Sequence, residues 1–259
     1  MDWEYTFNDS AAANFLVEKW WLSSVLCAIY VVVVFGGRAI MAKREPFDLS
    51  GPLAMWNLLL STFSVCGMLR LVPHVLYLWH THGFDWIITS PSELVYRTGV
   101  SSFWMLMFIL SKAPELVDTL FIVLRRKPLL FLHWYHHITV LLICWDSFMA
   151  GTSAGLPFAA MNYTVHAIMY AYYSGYLPFR ALWAPVITAL QILQMVLGVT
   201  IALRAGYIKF YTNRPCSMSD ISWLSFVLLY GSYLFLFLQF AVNRYCLKQH
   251  PKASKRKSE

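Results

Sequence analysis

Seven apolar runs, each long enough to cross a bilayer, occupy most of this 259-residue chain. They are read at residues 20–40, 53–79, 99–124, 129–149, 156–177, 185–203 and 221–246. A helix crosses the hydrocarbon layer in about 20 residues. Lipid offers no partner to a free backbone N–H or C=O, so such runs are restricted to helices or closed barrels. Runs of this length are helical, and the expected fold is all-α and polytopic. Composition agrees: 59% of residues are hydrophobic and only 13% charged, against about 25% charged in soluble domains.

Charge then orients the chain. The net charge of +7 would suggest nucleic acid in a soluble protein, but here it follows the positive-inside bias of membrane proteins. The first nineteen residues are acidic and the segment after the first run is basic (Arg38, Lys43, Arg44). They lack the charge pattern and short apolar core of a signal peptide. Seven spans with an external N-terminus put the C-terminus in the cytosol, and thirteen of the 20 Lys and Arg then fall on the cytosolic side. The expected organisation is a lumenal arm, 1–19, a seven-helix domain, 20–246, and a basic cytosolic tail, 247–259. Asn8-Asp-Ser10 is a glycosylation acceptor compatible with a lumenal arm. The ending Lys255-Arg-Lys257-Ser-Glu259 resembles an endoplasmic-reticulum retrieval signal. The five cysteines are scattered singly and suggest neither disulfides nor a zinc site.

Ionisable side chains inside membrane spans are costly and mark function by default. The fourth span carries His133, His136 and His137, whose i, i+3, i+4 spacing gathers them on one helix face. The third carries Lys112, Glu115, Asp118 and Thr119 around Pro114. Of these, Lys112, Glu115 and Thr119 share a face. In the fifth, Asn162, His166, Met169, Tyr170 and Tyr173 follow one face. The sixth carries Thr188, Gln191 and Gln194. Structural hydrogen-bond glue would account for any one of these groups, but their depths coincide. At about 1.5 Å per residue, His133 and His137 lie roughly 6 and 12 Å from the cytosolic start of their span, and Asp118 and Glu115 roughly 9 and 13 Å from the end of theirs. His166 and Gln191 lie roughly 16 and 9 Å in. Four spans thus place polar groups in the cytosolic half of the bilayer.

Clustered imidazoles suit metal binding or acid–base and nucleophilic work. Membrane desaturases hold two irons with about eight histidines in several boxes. This chain has eight in total but one H-x-x-H-H box, which is too few ligands for that plan. A single-metal site stays open, as does a seven-span receptor or transporter without chemistry of its own.

Lys112-x-x-Glu115-x-x-Asp118-Thr119, His133-x-x-His136-His137, Asn162-x-x-x-His166-x-x-Met169-Tyr170-x-Tyr172-Tyr173 and Thr188-x-x-Gln191-x-x-Gln194 together resemble the signature of the very-long-chain fatty acid elongase (ELO) family. Trp134 inside the box is similar to the elongases of saturated and monounsaturated chains; Asp146 departs from that subtype. The resemblance implies a 3-ketoacyl-CoA synthase of the endoplasmic reticulum. It condenses a long-chain acyl-CoA with malonyl-CoA, without cofactor or metal, by a ping-pong route. It further implies that His136 forms an acyl-imidazole, that His133, His137 and His166 assist decarboxylation and proton handling, and that Glu115 and Asp118 orient histidines and offset Lys112. Asn162, Gln191 and Gln194 would hold carbonyl oxygens, with Tyr170 and Tyr173 beside the substrate. Arg125, Arg126, Lys127, Arg180, Arg244 and Lys248 would hold CoA phosphates. Spans two to seven would enclose the acyl tunnel. Implied partners are membrane lipid and the reductases and dehydratase of the elongation cycle; nucleic acid is not expected.

Overall fold

The computed structural model describes residues 4–7, 9–97, 99–178 and 180–247, with the side chains of Asp9 and Arg180 left aside. Asn8, Lys248 and the retrieval-like ending lie outside the described residues, as does the Arg180 side chain.

Every described element is helical. They are α1 (Asp9–Glu18), α2 (Trp20–Met41), α3 (Ser50–His82), the short α4 (Phe84–Thr89) and α5 (Ser92–Val95), α6 (Gly99–Ser111), α7 (Val117–Leu124), α8 (Phe131–Met149), α9 (Gly155–Ser174), α10 (Arg180–Tyr211) and α11 (Asp220–Ala241). A π-turn, Val242–Leu247, extends α11. The protein is a polytopic membrane protein. Four of its helices, α2, α3, α10 and α11 with its π-turn, are long and apolar enough to cross a membrane. Helices α8 and α9 have 19 and 20 residues, but their runs are diluted by the histidines, Asn162 and hydroxyl side chains.

Three segments differ from their sequence-based expectation. The N-terminal arm is helical over α1, because Leu16 is fully buried and its carbonyl accepts the Trp145 indole N–H at 3.1 Å. The polar stretch after α3 is organised into α4 and α5, with Gly83 at φ +84° turning the chain between α3 and α4. The third run is not one helix. Pro114 has no N–H to continue α6, so a 3-10 turn, Pro114–Leu116, separates α6 from α7. That turn brings Lys112 and Glu115 side by side.

The most extensive helix pair is α3 with α9. It closes tightly because Gly67 has no side chain: a Cβ there would stand 2.5 Å from the Tyr163 ring. Tyr163 is buried, stacks edge-on to Phe63 and Phe108, and donates to the Trp104 carbonyl at 3.1 Å. On the other side α10 packs on α11 around Tyr230 and Tyr233. Ser219 caps α11 by accepting from the Ser222 N–H at 3.0 Å. Helix α2 sits outside this ring, against α7 and α8. Between the two halves lies an interior lined by α6, α8, α9, α10 and α11.

Candidate active site

The box begins where α8 begins. His133, His136 and His137 occupy its first two turns, and the 3.6-residue repeat packs the three rings together. Centroids are 4.6 Å apart for His133 and His137 and 5.6 Å for His136 and His137. His137 is buried, and its Nδ1 has no hydrogen-bond partner among the described residues.

Beside the box, the break after α6 holds a buried charge pair. The Lys112 ammonium is 2% exposed and donates to Glu115 Oε1 at 2.7 Å. Ser111 donates to the same oxygen at 2.9 Å. A buried ammonium is tolerated only when paired and hydrogen-bonded. Lys112 also donates to Asn162 Oδ1 at 3.2 Å, which fixes the orientation of that amide. Asn162 Nδ2 must then donate to His166 Nε2, at 3.1 Å, and a neutral His166 carries its proton on Nδ1. That nitrogen faces Glu115 Oε2 at 4.0 Å, beyond hydrogen-bond range. Two helical segments thus build one connected network, Glu115–Lys112–Asn162–His166.

Asp118 behaves differently. Its oxygens accept from Trp56 Nε1 at 2.6 Å and from the Tyr170 hydroxyl at 2.7 Å. Among the described residues these, and not a histidine, are its hydrogen-bond partners, because the third-of-a-turn offset from Glu115 aims it toward α3 and α9. Thr119, on the Lys112–Glu115 face, meets His133 Nε2 at 2.9 Å.

A narrow apolar cavity runs from this cluster. His136, Asn162, Gln194 and Tyr233 stand at one end. Along α8 it is lined by Val140, Ile143, Cys144, Ser147 and Phe148, and it ends at Tyr96, Phe148 and Thr152. Phe148 lies about 18 Å from His136 along α8, at 1.5 Å per residue. The floor is braced from behind: Arg97 Nη2 donates to the Phe148 carbonyl at 2.6 Å, and the guanidinium lies 4.9 Å over the Phe148 ring. Tyr233 on α11 presents its ring 5.0 Å from the His136 ring and donates to the His136 carbonyl at 3.2 Å. The arrangement suits a long aliphatic chain whose reactive head rests at His136.

The remaining sequence-derived candidates lie further off. Gln191 donates to the Met169 sulfur at 3.3 Å and Thr188 pairs with Tyr245 at 3.1 Å. Tyr173 is half exposed near the end of α9. Arg125 is half-buried, whereas Arg126, Lys127 and Arg244 are exposed. None of these four lines the cavity. Arg126 donates to the Arg44 carbonyl at 2.9 Å. Among the described residues, no three His, Cys, Asp or Glu side chains are arranged to hold a metal ion. Sequence reading missed Tyr30, Trp56, Ser111 and Tyr233. They are single polar-tipped residues in apolar runs, and among 15 tyrosines and 11 tryptophans nothing local distinguished them.

The chain also resembles known proteins over most of its length. The family described as ELO: GNS1/SUR4 matches residues 15–253. The chain is 42% identical over 254 residues to very long chain fatty acid elongase 6 of Rattus norvegicus, covering 94% of this chain and 92% of that protein. It is 39% identical over 249 residues to the Drosophila melanogaster protein of that name, covering 94% and 78%. It is 41% identical over 228 residues to very long chain fatty acid elongase 4 of Trypanosoma cruzi, covering 86% and 79%.

Proposed function

The chain belongs to the ELO (GNS1/SUR4) family, and from that premise we propose that it is a 3-ketoacyl-CoA synthase acting on long-chain saturated or monounsaturated acyl-CoA. The observation that carries the reading is the apolar cavity with His136 at its polar end.

In the first half-reaction a neutral imidazole nitrogen of His136 attacks the thioester carbonyl. The C–S bond breaks, CoA leaves as the thiol with the imidazole proton, and an acyl-imidazole remains. In the second, malonyl-CoA loses CO2, and the enolate of acetyl-CoA attacks the acyl carbonyl. A C–C bond forms, the C–N bond breaks, the departing His136 nitrogen takes a proton from solvent relayed by the neighbouring histidines, and the product is a 3-ketoacyl-CoA two carbons longer. Charge develops on carbonyl oxygens in both halves, and donors fixed in advance stabilise it best. Asn162 and Gln194 line the cavity beside His136 and suit that task. His133, His137 and His166 stand close enough to serve malonyl placement and proton transfer, and Glu115 offsets Lys112. The route uses no metal or cofactor. Arg125, Arg126, Lys127 and Arg244 are left to bind CoA phosphates outside the cavity, with Gln191, Tyr170 and Tyr173 nearer the entrance.

Cavity depth bears on the substrate. An extended chain advances about 1.25 Å per carbon, from C–C bonds of about 1.5 Å. The roughly 18 Å from His136 to the floor therefore accommodates about 14 carbons. This favours acyl groups of about 14 to 16 carbons.

The topology fitting this chemistry has seven crossings: α2, α3, α6 with α7, α8, α9, α10 and α11. The N-terminus is lumenal, and the box lies near the cytosolic face, where CoA esters are found. Residence in the endoplasmic reticulum, glycosylation at Asn8 and association with the later enzymes of the cycle complete the reading.

The test is condensation by purified protein given palmitoyl-CoA and labelled malonyl-CoA. A 3-ketoacyl-CoA product is expected, with an acyl adduct on His136 by mass spectrometry when malonyl-CoA is withheld. His136→Ala should abolish both. Absence of product across acyl chains of 8 to 22 carbons, in protein that is folded, would refute the assignment.

A further inference from the structure

Helix α2 lines none of the cavity, yet it reaches the histidine box. Cys27, Tyr30 and Val34 form its inward face, all buried. The Tyr30 hydroxyl meets Thr119 Oγ1 at 2.8 Å, and the same oxygen meets His133 Nε2 at 2.9 Å. Thr119 is fully buried and Tyr30 is 5% exposed. Three side chains from α2, α7 and α8 therefore form one chain of hydrogen bonds, buried at Tyr30 and Thr119 and partly buried at His133.

The polarity of that chain is fixed by hydrogen-bond accounting. A threonine hydroxyl has one proton and two lone pairs. If it accepted from both neighbours, its own buried proton would have no acceptor among the described residues, so it donates to one and accepts from the other. If His133 Nε2 donated to Thr119, then Thr119 would donate to Tyr30. The Tyr30 proton would then need another acceptor, and Thr119 is the only hydrogen-bond partner of that hydroxyl among the described residues. A buried hydroxyl without an acceptor is costly. The favourable order is Tyr30 to Thr119 to His133 Nε2. It leaves Nε2 as an acceptor and puts the proton of neutral His133 on Nδ1.

We propose that Tyr30 is a positioning residue of the active site, acting through Thr119 to hold His133 in its Nδ1–H form. The inference rests on the condensing-enzyme reading for its catalytic consequence, but not for the tautomer itself. The ring of His133 packs edge-on to His137 at 4.6 Å, so the tautomer held at His133 sets which nitrogen the pair presents to its neighbours. A helix outside the cavity thereby joins the catalytic apparatus.

The experiment labels histidine with 15N in the full-length protein, with the His133 signals assigned by comparison with His133→Gln. Wild type is expected to show Nδ1 protonated and Nε2 as a bare acceptor. In Tyr30→Phe, which keeps the ring, His133 should become a mixture of tautomers. Its kcat should fall about fivefold to tenfold, the bias one ordinary hydrogen bond sets, with KM for acyl-CoA within about twofold of wild type. Thr119→Val should give the same pattern, and Thr119→Ser should restore wild-type behaviour. This pair carries the test if Tyr30→Phe does not fold. A protonated Nε2 in wild type, or an unchanged tautomer and kcat in Tyr30→Phe and Thr119→Val, overturns the proposal. The nitrogen spectrum reads the tautomer even in protein that condenses nothing, so failure of the positioning role and failure of the enzymatic reading are separable.

Discussion

Cys144 stands two helical turns beyond His136 on the cavity-lining face of α8, about 12 Å away at 1.5 Å per residue. Cys144→Trp would raise the cavity floor to that level. The indole would fill the narrow cavity at this level, at the cost of about 1–3 kcal/mol usual for overpacking. At about 1.25 Å per carbon, a shortened cavity of roughly 12 Å holds about 10 carbons in place of about 14. Four methylenes lose their burial, at about 0.8 kcal/mol each, or about 3 kcal/mol in total. That is roughly 200-fold in kcat/KM. The assay is condensation with labelled malonyl-CoA over an acyl-CoA series from 8 to 20 carbons. The ratio of kcat/KM for palmitoyl-CoA over decanoyl-CoA should fall by about that factor, with decanoyl-CoA itself little changed. A variant that stays folded and still prefers palmitoyl-CoA would refute both the direction of the chain and the use of this cavity.

Two further tests concern the charges. Glu115→Gln leaves the 2% exposed Lys112 ammonium without its counter-charge, at a cost of about 3–5 kcal/mol. Detergent-solubilised protein should melt several degrees lower, whereas the double change Lys112→Met with Glu115→Leu should recover most of the loss. Asp85 lies in α4, outside the long helices, and hydrogen bonding by Arg204, with the Arg204 and Arg214 charges nearby, holds its carboxyl below the usual carboxylate range. A lowered folded pKa contributes stability that is present above the unfolded value of about 3.9 and lost as pH falls through the folded value. The difference in melting temperature between wild type and Asp85→Asn should therefore be constant from about pH 8 to pH 5 and close below about pH 4. A difference that closes near neutrality would contradict this placement of Asp85.

Much of the site was legible before any fold was known, because its residues violate a strong rule. His133, His136, His137, Lys112, Glu115 and His166 are ionisable groups in apolar runs, where desolvation makes each one costly without a partner. Helical spacing alone gathered the box on one face. The same period placed Tyr173 on the site face, but only the structure shows that it is half exposed while Tyr170 is buried. Likewise a carboxylate in the sequence shows that it needs donors without showing which. Asp118 took Trp56 and Tyr170, residues 62 and 52 positions away.

Apolar run length and intramembrane charge, both properties of the chain taken locally, determined an all-helical membrane protein with a polar cluster in its third to sixth runs. The tertiary structure decided what those groups do together. It broke the third run at Pro114 so that Lys112 and Glu115 pair, passed that pair through Asn162 to His166, and set a braced floor of Tyr96, Phe148 and Thr152 opposite His136. It also brought Tyr30 from a helix outside the cavity to the histidine box. The physical reason is the range of the forces. Backbone hydrogen bonding and lipid exclusion act residue by residue along the chain, whereas a hydrogen bond between side chains forms only after helix packing has brought both partners within about 3 Å.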